Sequence, residues 1–472
     1  MKKYISPTLI MFTILLLNPL SGCINDAEDQ TTDVVTDVTE DIPIQNNQTN
    51  VTDVTEDIPI QNNQTNSTDL IVNNSSGVGV EFVDLEVVEM DGLVLVAGNG
   101  GKKIELINKT GHSLHTWNLQ QPLGNDFQLL PNGDILAMFK VNTTNMPNLT
   151  FGGFGGSVQI IGPDGEIKWQ FDDLINDTML PHHDVELLPN GNILVMVWES
   201  LNQSDAADLG IDCVTDLAYE SIYEVNVTSN SIEWKWRSID HYIQDRHPDK
   251  PNFGNITSNA HKIDFNLNTN HPKHSRNGDI MHANGIDYDE ENNLIYLSVN
   301  FYNEVWVIDH STTIEQASNH TGGNYGKGGD LVYRFGNSAA YQSNESIIFS
   351  KVHFPNLIEN PDILGYGNIL VFSNGLYNIS TVFELSLPVS DYPTMTPPEI
   401  VWSYSNENLF CGIVSGADRG RNNNTYIAEG DYGVWEVTPD GEIAWKYMRG
   451  PTWRAYVHYH DEPGVQALLQ NQ

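Results

Sequence analysis

The sequence predicts an all-β protein whose main domain is a six-bladed β-propeller. Two observations lead to this prediction. Between residues 78 and 450 a degenerate unit recurs six times, and each copy contains a turn, an apolar strand and a hairpin with an aromatic residue. The same region lacks the 3.6-residue periodicity of a long helix.

Each repeat unit opens with a turn that is followed by an apolar strand. Asn-Gly and Asp-Gly pairs in these turns supply the positive φ angles that tight connections between strands need. We interpret the apolar strand as the first strand of each blade. The six segments are residues 90–98, 131–139, 189–197, 291–299, 366–373 and 422–430.

Each unit closes with a hairpin whose second strand carries an aromatic side chain, expected to fill the space between neighbouring sheets. These residues are Trp117, Trp169, Trp234, Tyr333, Trp402 and Trp445. The units are longer than a usual blade of about 40–50 residues. We attribute the excess mainly to insertions after Trp169 and Trp234.

Upstream of the propeller, predicted for residues 78–472, the chain resembles an export signal and a tether. Residues 1–23 have a basic start, an apolar stretch and the sequence Leu-Ser-Gly-Cys, which resembles a lipoprotein lipobox ending at Cys23. An ordinary signal peptide with a chance cysteine is the alternative. Residues 24–77 repeat residues 35–50 as 51–66 without Lys, Arg or aromatic residues, so they predict a disordered linker. The expected location is extracytoplasmic, with a lipid on Cys23 as the only membrane attachment.

Composition narrows the range of partners. The chain has 472 residues with 62 Asp and Glu against 22 Lys and Arg, a formal net charge of −40. So acidic a protein is not expected to bind nucleic acid, and any anion site must be local. Asn-x-Ser/Thr sequons between Asn47 and Asn423 suggest glycosylation. Cys213 and Cys411 could pair or remain free thiols.

Three histidines occupy related places in the repeat. His183, His282 and His353 each lie just ahead of the apolar strand of a unit, where Asn125 and Ser415 stand in two other units. Equivalent positions converge around the axis of a propeller, so we expect these imidazoles, together with Asn284, at one mouth of the central channel. A shared functional site is favoured over separate loop residues, and a three-histidine zinc site stays open. The glycine-rich residues 151–156 predict a flexible loop at the rim.

Several segments resemble the prokaryotic arylsulfotransferase family. They are residues 182–199, 282–313, 326–337, 367–375 and 427–447, of which HANGIDY, HSTT and EVTPDGEIAWKY are the most specific. The resemblance covers most of residues 78–457. It implies a six-bladed propeller that moves a sulfuryl group from a phenolic sulfate to a phenolic acceptor through a sulfated histidine. It implies no nucleotide donor, and we expect no cofactor and no metal.

The resemblance also assigns roles to the histidines. His353 matches the nucleophile, His282 and Asn284 match the donors to the sulfuryl oxygens, and His183 or its neighbour His182 matches the acid and base. A neutral imidazole is a competent nucleophile near pH 7. Preorganised donors around the sulfuryl oxygens would stabilise the charge that develops there.

One position departs from the family pattern. Asn300 stands near the place where the family carries a basic residue that holds the sulfate. Arg419, Arg421 and Arg454 could supply the missing charge, and Arg454 is the favoured candidate. Two other functions stay open: a non-catalytic propeller that binds a ligand or surface partner, and a hydrolase that uses the histidines as metal ligands. The oligomeric state is not predicted.

Overall fold

The computed structural model describes residues 70–73, 79–98, 100–142, 149–269, 277–343, 347–375 and 379–470. The predicted signal peptide, Cys23 and most of the predicted linker lie outside these residues, so lipid attachment stays a prediction. The linker was expected to extend to residue 77, but Leu70–Asn73 form a strand. Regular β structure therefore begins before the predicted domain boundary.

The described residues are dominated by β-strands. In chain order the strands are β1 Leu70–Asn73, β2 Gly79–Phe82, β3 Gly92–Gly98, β4 Lys103–Ile107, β5 Ser113–Asn118, β6 Leu123–Leu129, β7 Ile135–Lys140, β8 Gly156–Ile161, β9 Ile167–Phe171, β10 Met179–Leu187, β11 Ile193–Leu201, β12 Leu217–Val225, β13 Ile232–Arg237, β14 Tyr242–Ile243, β15 Ile263–Asp264, β16 Ala283–Asp289, β17 Leu294–Val299, β18 Glu304–Asp309, β19 Tyr333–Phe335, β20 Val352–Leu357, β21 Ile369–Ser373, β22 Thr381–Ser386, β23 Glu399–Ser405, β24 Gly416–Arg419, β25 Thr425–Glu429, β26 Gly433–Val437, β27 Ile443–Met448 and β28 Thr452–Tyr459.

Helices are few and short. The α-helices are α1 Gln203–Asp208, α2 Ile314–Ala317 and α3 Pro463–Leu469, and short 3₁₀ segments lie at Ser238–His241, Thr257–Asn259, Asn300–Tyr302, Ser338–Tyr341 and Val389–Asp391. Within the described residues, no helix combines the length and apolar character required to cross a membrane.

Six antiparallel sheets confirm the predicted six-bladed propeller. From the axis outwards, blade 1 is β28-β3-β4-β5, blade 2 is β6-β7-β8-β9, blade 3 is β10-β11-β12-β13, blade 4 is β16-β17-β18-β19, blade 5 is β20-β21-β22-β23, and blade 6 is β24-β25-β26-β27 extended by β2 and β1. The innermost strands β6, β10, β16, β20, β24 and β28 surround the central channel. The separate pair β14 and β15 is parallel.

The predicted blades are out of phase with the observed ones by one strand. The apolar segment after each turn is the second strand of its blade, and the innermost strand lies before the turn. In blade 2, for example, β6 precedes the turn and β7 follows it. The second strands are buried on both faces between neighbouring sheets, so they are continuously apolar. The innermost strands are partly polar because one face lines the channel.

The aromatic residues of the hairpins lie on the fourth strand of each blade, as the repeat pattern predicts. Trp117, Trp234, Tyr333 and Trp445 are buried, whereas Trp169 and Trp402 are half-buried. The expected insertion after Trp234 exists, between β13 and β16. The one expected after Trp169 does not, because β10 begins soon after β9 ends. The extra length in blades 2 and 3 lies instead between β7 and β8 and between β11 and β12.

Both ends of the described chain take part in closing the ring. The C-terminal β28 completes blade 1 from the inside, while β2 pairs with β27 on the outside of blade 6. Lys109, in the turn between β4 and β5, ties these two blades together. Its Nζ lies 2.6 Å from Glu436 Oε2 on β26 and donates to the Tyr426 hydroxyl. Both charged side chains are buried.

Lys109→Met should destabilise the propeller because it leaves the Glu436 carboxylate buried without its cation. We expect the free energy of unfolding to fall by about 3–5 kcal/mol in urea titrations followed by tryptophan fluorescence. Adding Glu436→Gln should recover part of the loss, since the amide is neutral. Arg421→Met, which breaks an exposed pair with Asp461, is the control and should change little. Equal effects of the two single variants would contradict this account.

Candidate active site at one mouth of the central channel

All six blades contribute to one cavity of about 210 Å³ at a mouth of the central channel. Its lining includes Asn125 of blade 2, His183 of blade 3, His282 and Asn284 of blade 4, His353 of blade 5, Ile413 and Val414 before β24 of blade 6, and Trp453 and Arg454 of blade 1. The structure thus brings the three predicted histidines together. The ring centroids of His183 and His282 are 4.9 Å apart, and the angle between the two ring planes is 83°.

Local backbone irregularities point these side chains into the cavity. Five of the innermost strands have an irregular pairing register close to the residues that line the cavity. These strands are β6, β10, β16, β20 and β28. His183, His282, Phe354 and Ser415 have positive φ angles there. An extra residue at a bulge re-aims the neighbouring side chains, and non-glycine residues with positive φ concentrate at functional sites. His183 lies within β10 and His353 within β20, each on the innermost strand that precedes the apolar strand of its blade.

The rim loop at residues 151–156 is fixed to the histidines. The Gly153 carbonyl accepts hydrogen bonds from the His183 backbone nitrogen at 2.9 Å and from Asn125 Nδ2 at 2.7 Å. Gly153 has φ of 82°, and a Cβ there would overlap the His183 ring. Only glycine therefore allows the loop to cover this histidine so closely.

The surroundings of His282 favour its charged form. Burial lowers the pKa of this imidazole, but the charge and hydrogen bond of Asp279, together with the charge of Glu220, raise the pKa overall. Asp279 Oδ2 accepts a hydrogen bond from His282 Nδ1 at 2.6 Å, and the ring stacks on Phe301. Asp279 therefore stabilises positive charge on a ring that lines the cavity.

His353 is held neutral. Burial, followed by the charges of Arg454 and His282, lowers the pKa of His353 to about 3. Its Nδ1 lies 3.4 Å from the Lys351 carbonyl, which can only accept, so Nδ1 carries the proton. The lone pair is then on Nε2, which lies 3.5 Å from Asn300 Nδ2. Such a nitrogen can attack an electrophile.

Behind His183 lies a chain of buried groups that ends at Glu220. His183 Nδ1 is 2.9 Å from His182 Nδ1, and His182 Nε2 is 2.9 Å from Glu220 Oε2. Neither atom of the second contact has a hydrogen-bond partner of good geometry. Burial, and then the charge of His282, lowers the pKa of both histidines well below its ordinary value. Burial raises the pKa of Glu220 to about 8.

Arg454, the favoured candidate for the basic group that Asn300 does not provide, lines the cavity. Its Nη1 donates to the Ser415 carbonyl at 3.0 Å and its Nη2 donates to the Asn284 carbonyl at 2.9 Å. The guanidinium lies 4.3 Å from the centroid of the Phe354 ring. Its Nε has no hydrogen-bond partner among the described residues. Arg454 thus lines the cavity while backbone carbonyls hold its Nη1 and Nη2 in place.

The other predicted residues take different places. The Asn284 amide is committed to the structure, because Nδ2 donates to the Val352 carbonyl and Oδ1 accepts from Ser298. Asn300 is buried beside His353. Arg421 does not join the site: it lies in the turn after β24, at the end away from Ser415, and pairs with Asp461. Sequence reasoning placed it near the mouth because it did not identify which end of the strand faces the cavity.

The sequence analysis missed the groups that control the histidines. Asp279 and Glu220 come from the segment before β16 and from β12, and no repeat register connects them with the site. It also missed acids deeper in the channel. Asp126 accepts from the Tyr456 hydroxyl, and Asp184 lies 4.0 Å from Arg454. Burial raises the pKa of both carboxyls. Alternation along the inner strands was the available signal for these acids.

Two further expectations can be compared with the structure. Cys213 and Cys411 are both free thiols. Among the described residues, His183, His282 and His353 do not form a set whose donor atoms all lie within 4.8 Å of one another. Their arrangement therefore does not match the compact donor set of a zinc site.

Comparisons with known proteins point to one family. A family model described as arylsulfotransferase (ASST) matches residues 126–353, a span that contains His182, His183, His282, Asn284, Asn300 and His353. No curated protein matches the chain.

Many solved structures are similar to the chain, and two of them serve as examples. One is a functionally unknown protein from Desulfotomaculum acetoxidans DSM 771, with 10% identity, a TM-score of 0.39, and coverage of 78% of this chain and 98% of that one. The other is the β-propeller domain of Cps50 (Swd1) from Myceliophteria thermophila, with 9% identity, a TM-score of 0.38, and coverage of 82% and 88%.

Asp279→Asn should lower the pKa of His282, because the variant lacks the carboxylate that stabilises the imidazolium. The variant histidine should then lose its proton at a lower pH than in the parent protein. Imidazole nitrogen shifts of selectively ¹⁵N-histidine-labelled protein would follow this titration. Asp240→Asn, which removes an acid paired with Arg237, is the control. An unchanged His282 titration would contradict the assignment.

Proposed function

Because residues 126–353 belong to the arylsulfotransferase family, we propose that this protein transfers a sulfuryl group from a phenolic sulfate ester to a phenolic acceptor through a sulfated His353. The observation that carries the proposal is the pairing of a neutral, buried His353 with two cations, His282 and Arg454, in one small cavity. A nucleophile with a free lone pair beside fixed positive charge suits attack on an anionic ester.

In the first half-reaction, the His353 Nε2 lone pair attacks sulfur, and the bond from sulfur to the aryl oxygen breaks. The bonding electrons leave with the aryl oxygen, which takes a proton and departs as the phenol. The proton on Nδ1 stays, directed at the Lys351 carbonyl. In the second half-reaction an acceptor phenol loses its proton, its oxygen attacks sulfur, and the electron pair of the N–S bond returns to Nε2.

Charge on the sulfuryl oxygens is offset by groups already in place. Sulfuryl transfer spreads negative charge over the equatorial oxygens, as phosphoryl transfer does. His282, charged through Asp279, and Arg454, with its unpartnered Nε, are the cations that border the cavity. Asn300 contributes an amide donor near the nucleophile. Preorganised donors of this kind need no rearrangement during the reaction.

The chain from His183 to Glu220 fits the proton transfer. With Glu220 protonated, a small rotation would let Oε2 donate to His182 Nε2 across their 2.9 Å contact, while His182 Nδ1 donates to His183 Nδ1 and His183 Nε2 carries a proton. This is a consistent set of neutral tautomers. When the leaving phenolate takes the proton from His183, one proton shifts along each link, and the negative charge moves to Glu220. The reverse shift deprotonates the acceptor.

The size and rim of the cavity suit a small aromatic substrate. About 210 Å³ lies below the range of about 300–1,000 Å³ typical of drug-sized ligands. Ile413, Val414 and Trp453 provide apolar surface beside the charged groups. An aryl ring can pack there while its sulfate faces His282 and Arg454.

His353→Ala should abolish transfer between phenols, with kcat reduced at least about 10⁴-fold, because no other nucleophile occupies its place. Intact-mass analysis of the full chain after brief exposure to p-nitrophenyl sulfate should show one added SO₃ group. Peptide mapping should place this group on His353, and a phenol should remove it.

His112→Ala, an exposed histidine in blade 1, is the matched control and should keep both adduct and activity. An adduct on another residue would overturn the nucleophile assignment. If several aryl sulfates give no adduct on folded protein, the non-catalytic binding function would be favoured instead.

Glu220→Gln tests the proton chain. The amide keeps an acceptor for Trp198 Nε1 and the Ala283 backbone nitrogen but cannot release a proton. We expect kcat to fall about 10²-fold for phenolic sulfates with basic leaving groups, and far less for p-nitrophenyl sulfate, whose leaving group needs little protonation. KM should change little. A merely structural role would lower all rates equally. Glu224→Gln, on the same strand but remote from the cavity, is the control.

A further inference from the structure

A second histidine cluster lies outside the active-site cavity, between blades 3 and 4. His241 ends the 3₁₀ segment Ser238–His241 that follows β13, and His320 and Asp330 lie on the connection from β18 to β19. Of all the His, Cys, Asp and Glu residues within the described ranges, only these three form a group whose donor atoms all lie within 4.8 Å of one another. The proposed sulfuryl transfer makes no use of them.

The hydrogen bonding of His241 leaves a conflict that a cation would resolve. Its Nε2 lies 2.8 Å from the Ala317 carbonyl, which only accepts, so Nε2 carries a proton. In a neutral ring Nδ1 then has a lone pair. This lone pair faces Asp330 Oδ1 at 2.9 Å, and the same oxygen lies 2.8 Å from His320 Nδ1. Either a second proton on His241 or a metal ion between the donors relieves this conflict, and a metal ion would also bind His320 Nδ1, which lies against the same carboxylate oxygen.

Neighbouring residues orient the His241 ring by a hydrogen bond and by packing, as is usual for a histidine that binds a metal. The Ala317 carbonyl fixes the tautomer, a feature common to metal-bound histidines. The Trp236 ring stacks on the imidazole at 4°, and Trp236 Nε1 donates to the Gly329 carbonyl at 2.7 Å. A Cβ at Gly329 would overlap the His241 ring, so glycine lets the loop close over it. His241 is fully buried, so its orientation is set by packing.

We propose that His241, His320 and Asp330 bind a zinc ion. Two imidazole nitrogens and one carboxylate oxygen are a donor set that Zn²⁺ favours. If zinc lies about 2.1 Å from each donor in a tetrahedron, the donors are about 3.4 Å apart. The distances from Asp330 Oδ1 to His241 Nδ1 and to His320 Nδ1 are roughly half an ångström shorter than this. His320 is 45% exposed and has room to make this movement. Its exposed side leaves the fourth position to water.

The proposed ion would cross-link two insertions. It joins the segment after β13 in blade 3 to the long β18–β19 connection of blade 4, which contains five glycines between residues 322 and 329. Glycine loses more backbone freedom on folding than other residues, so this connection is costly to order. A metal bound only by the folded arrangement stabilises it by mass action.

Zinc binding to the full-length chain is the test. The parent protein is first stripped of metal with a chelator, and one portion is then dialysed against Zn²⁺. This portion should retain one more zinc ion per chain than the portion without added zinc, as measured by inductively coupled plasma mass spectrometry. A chromogenic zinc indicator would give the affinity by competition. His320→Ala should weaken binding at least about tenfold, and because this side chain is exposed the variant should stay folded. Zinc should also raise the Tm of the parent protein but not of the variant.

Two controls separate this cluster from other histidines. His112→Ala removes an exposed histidine of blade 1, and His353→Ala removes the proposed nucleophile; both should bind zinc as the parent does. Loss of zinc in His353→Ala but not in His320→Ala would overturn the proposal and would place the metal in the active-site cavity. Failure of the parent protein to retain zinc would also overturn it. Neither readout depends on transferase activity.

Discussion

The guanidinium of Arg454 is the interaction on which both the ring and the site depend. It extends from blade 1 and contacts the backbone carbonyls of Asn284 in blade 4 and Ser415 in blade 6. It packs on Phe354 of blade 5 and lies 4.0 Å from Asp184 of blade 3. One buried cation thus connects five of the six blades near the axis. Its charge also helps to keep His353 neutral, so the same group organises the channel and favours the neutral form of the proposed nucleophile.

A buried cation of this kind is retained at a cost in desolvation. The carbonyl oxygens and the acids deeper in the channel compensate for part of it. Burial raises the pKa of both Asp126 and Asp184, which favours their neutral forms and so limits the negative charge that they place beside Arg454. Under the proposed function, this local positive charge would let a strongly acidic protein hold an anionic ester.

The sequence predicted the blade number because the second strands are buried on both faces, and a continuous apolar run such as 135–139 is easy to recognise. It misplaced the start of each blade because the innermost strands mix channel-facing polar residues with packed ones. The histidines were predicted correctly as neighbours because each occupies the same step of the repeat. Asp279 and Glu220 were missed because their proximity to the site arises from packing between blades. Arg421 was placed wrongly because strand direction, which separates it from Arg454, was not considered.

The closure of the ring has a consequence for the order in which the molecule becomes competent. β28 is the last strand of the propeller to leave the ribosome, and it carries Arg454 together with the innermost strand of blade 1. The strands of blades 2 to 5 can pair while the chain is still growing. The cavity lacks Arg454 and the innermost strand of blade 1 until residues 452–459 have been synthesised. Under the proposed function, the site is therefore complete only after β28 has paired into blade 1, and a chain that stops before residue 452 would lack both Arg454 and the wall that β28 forms.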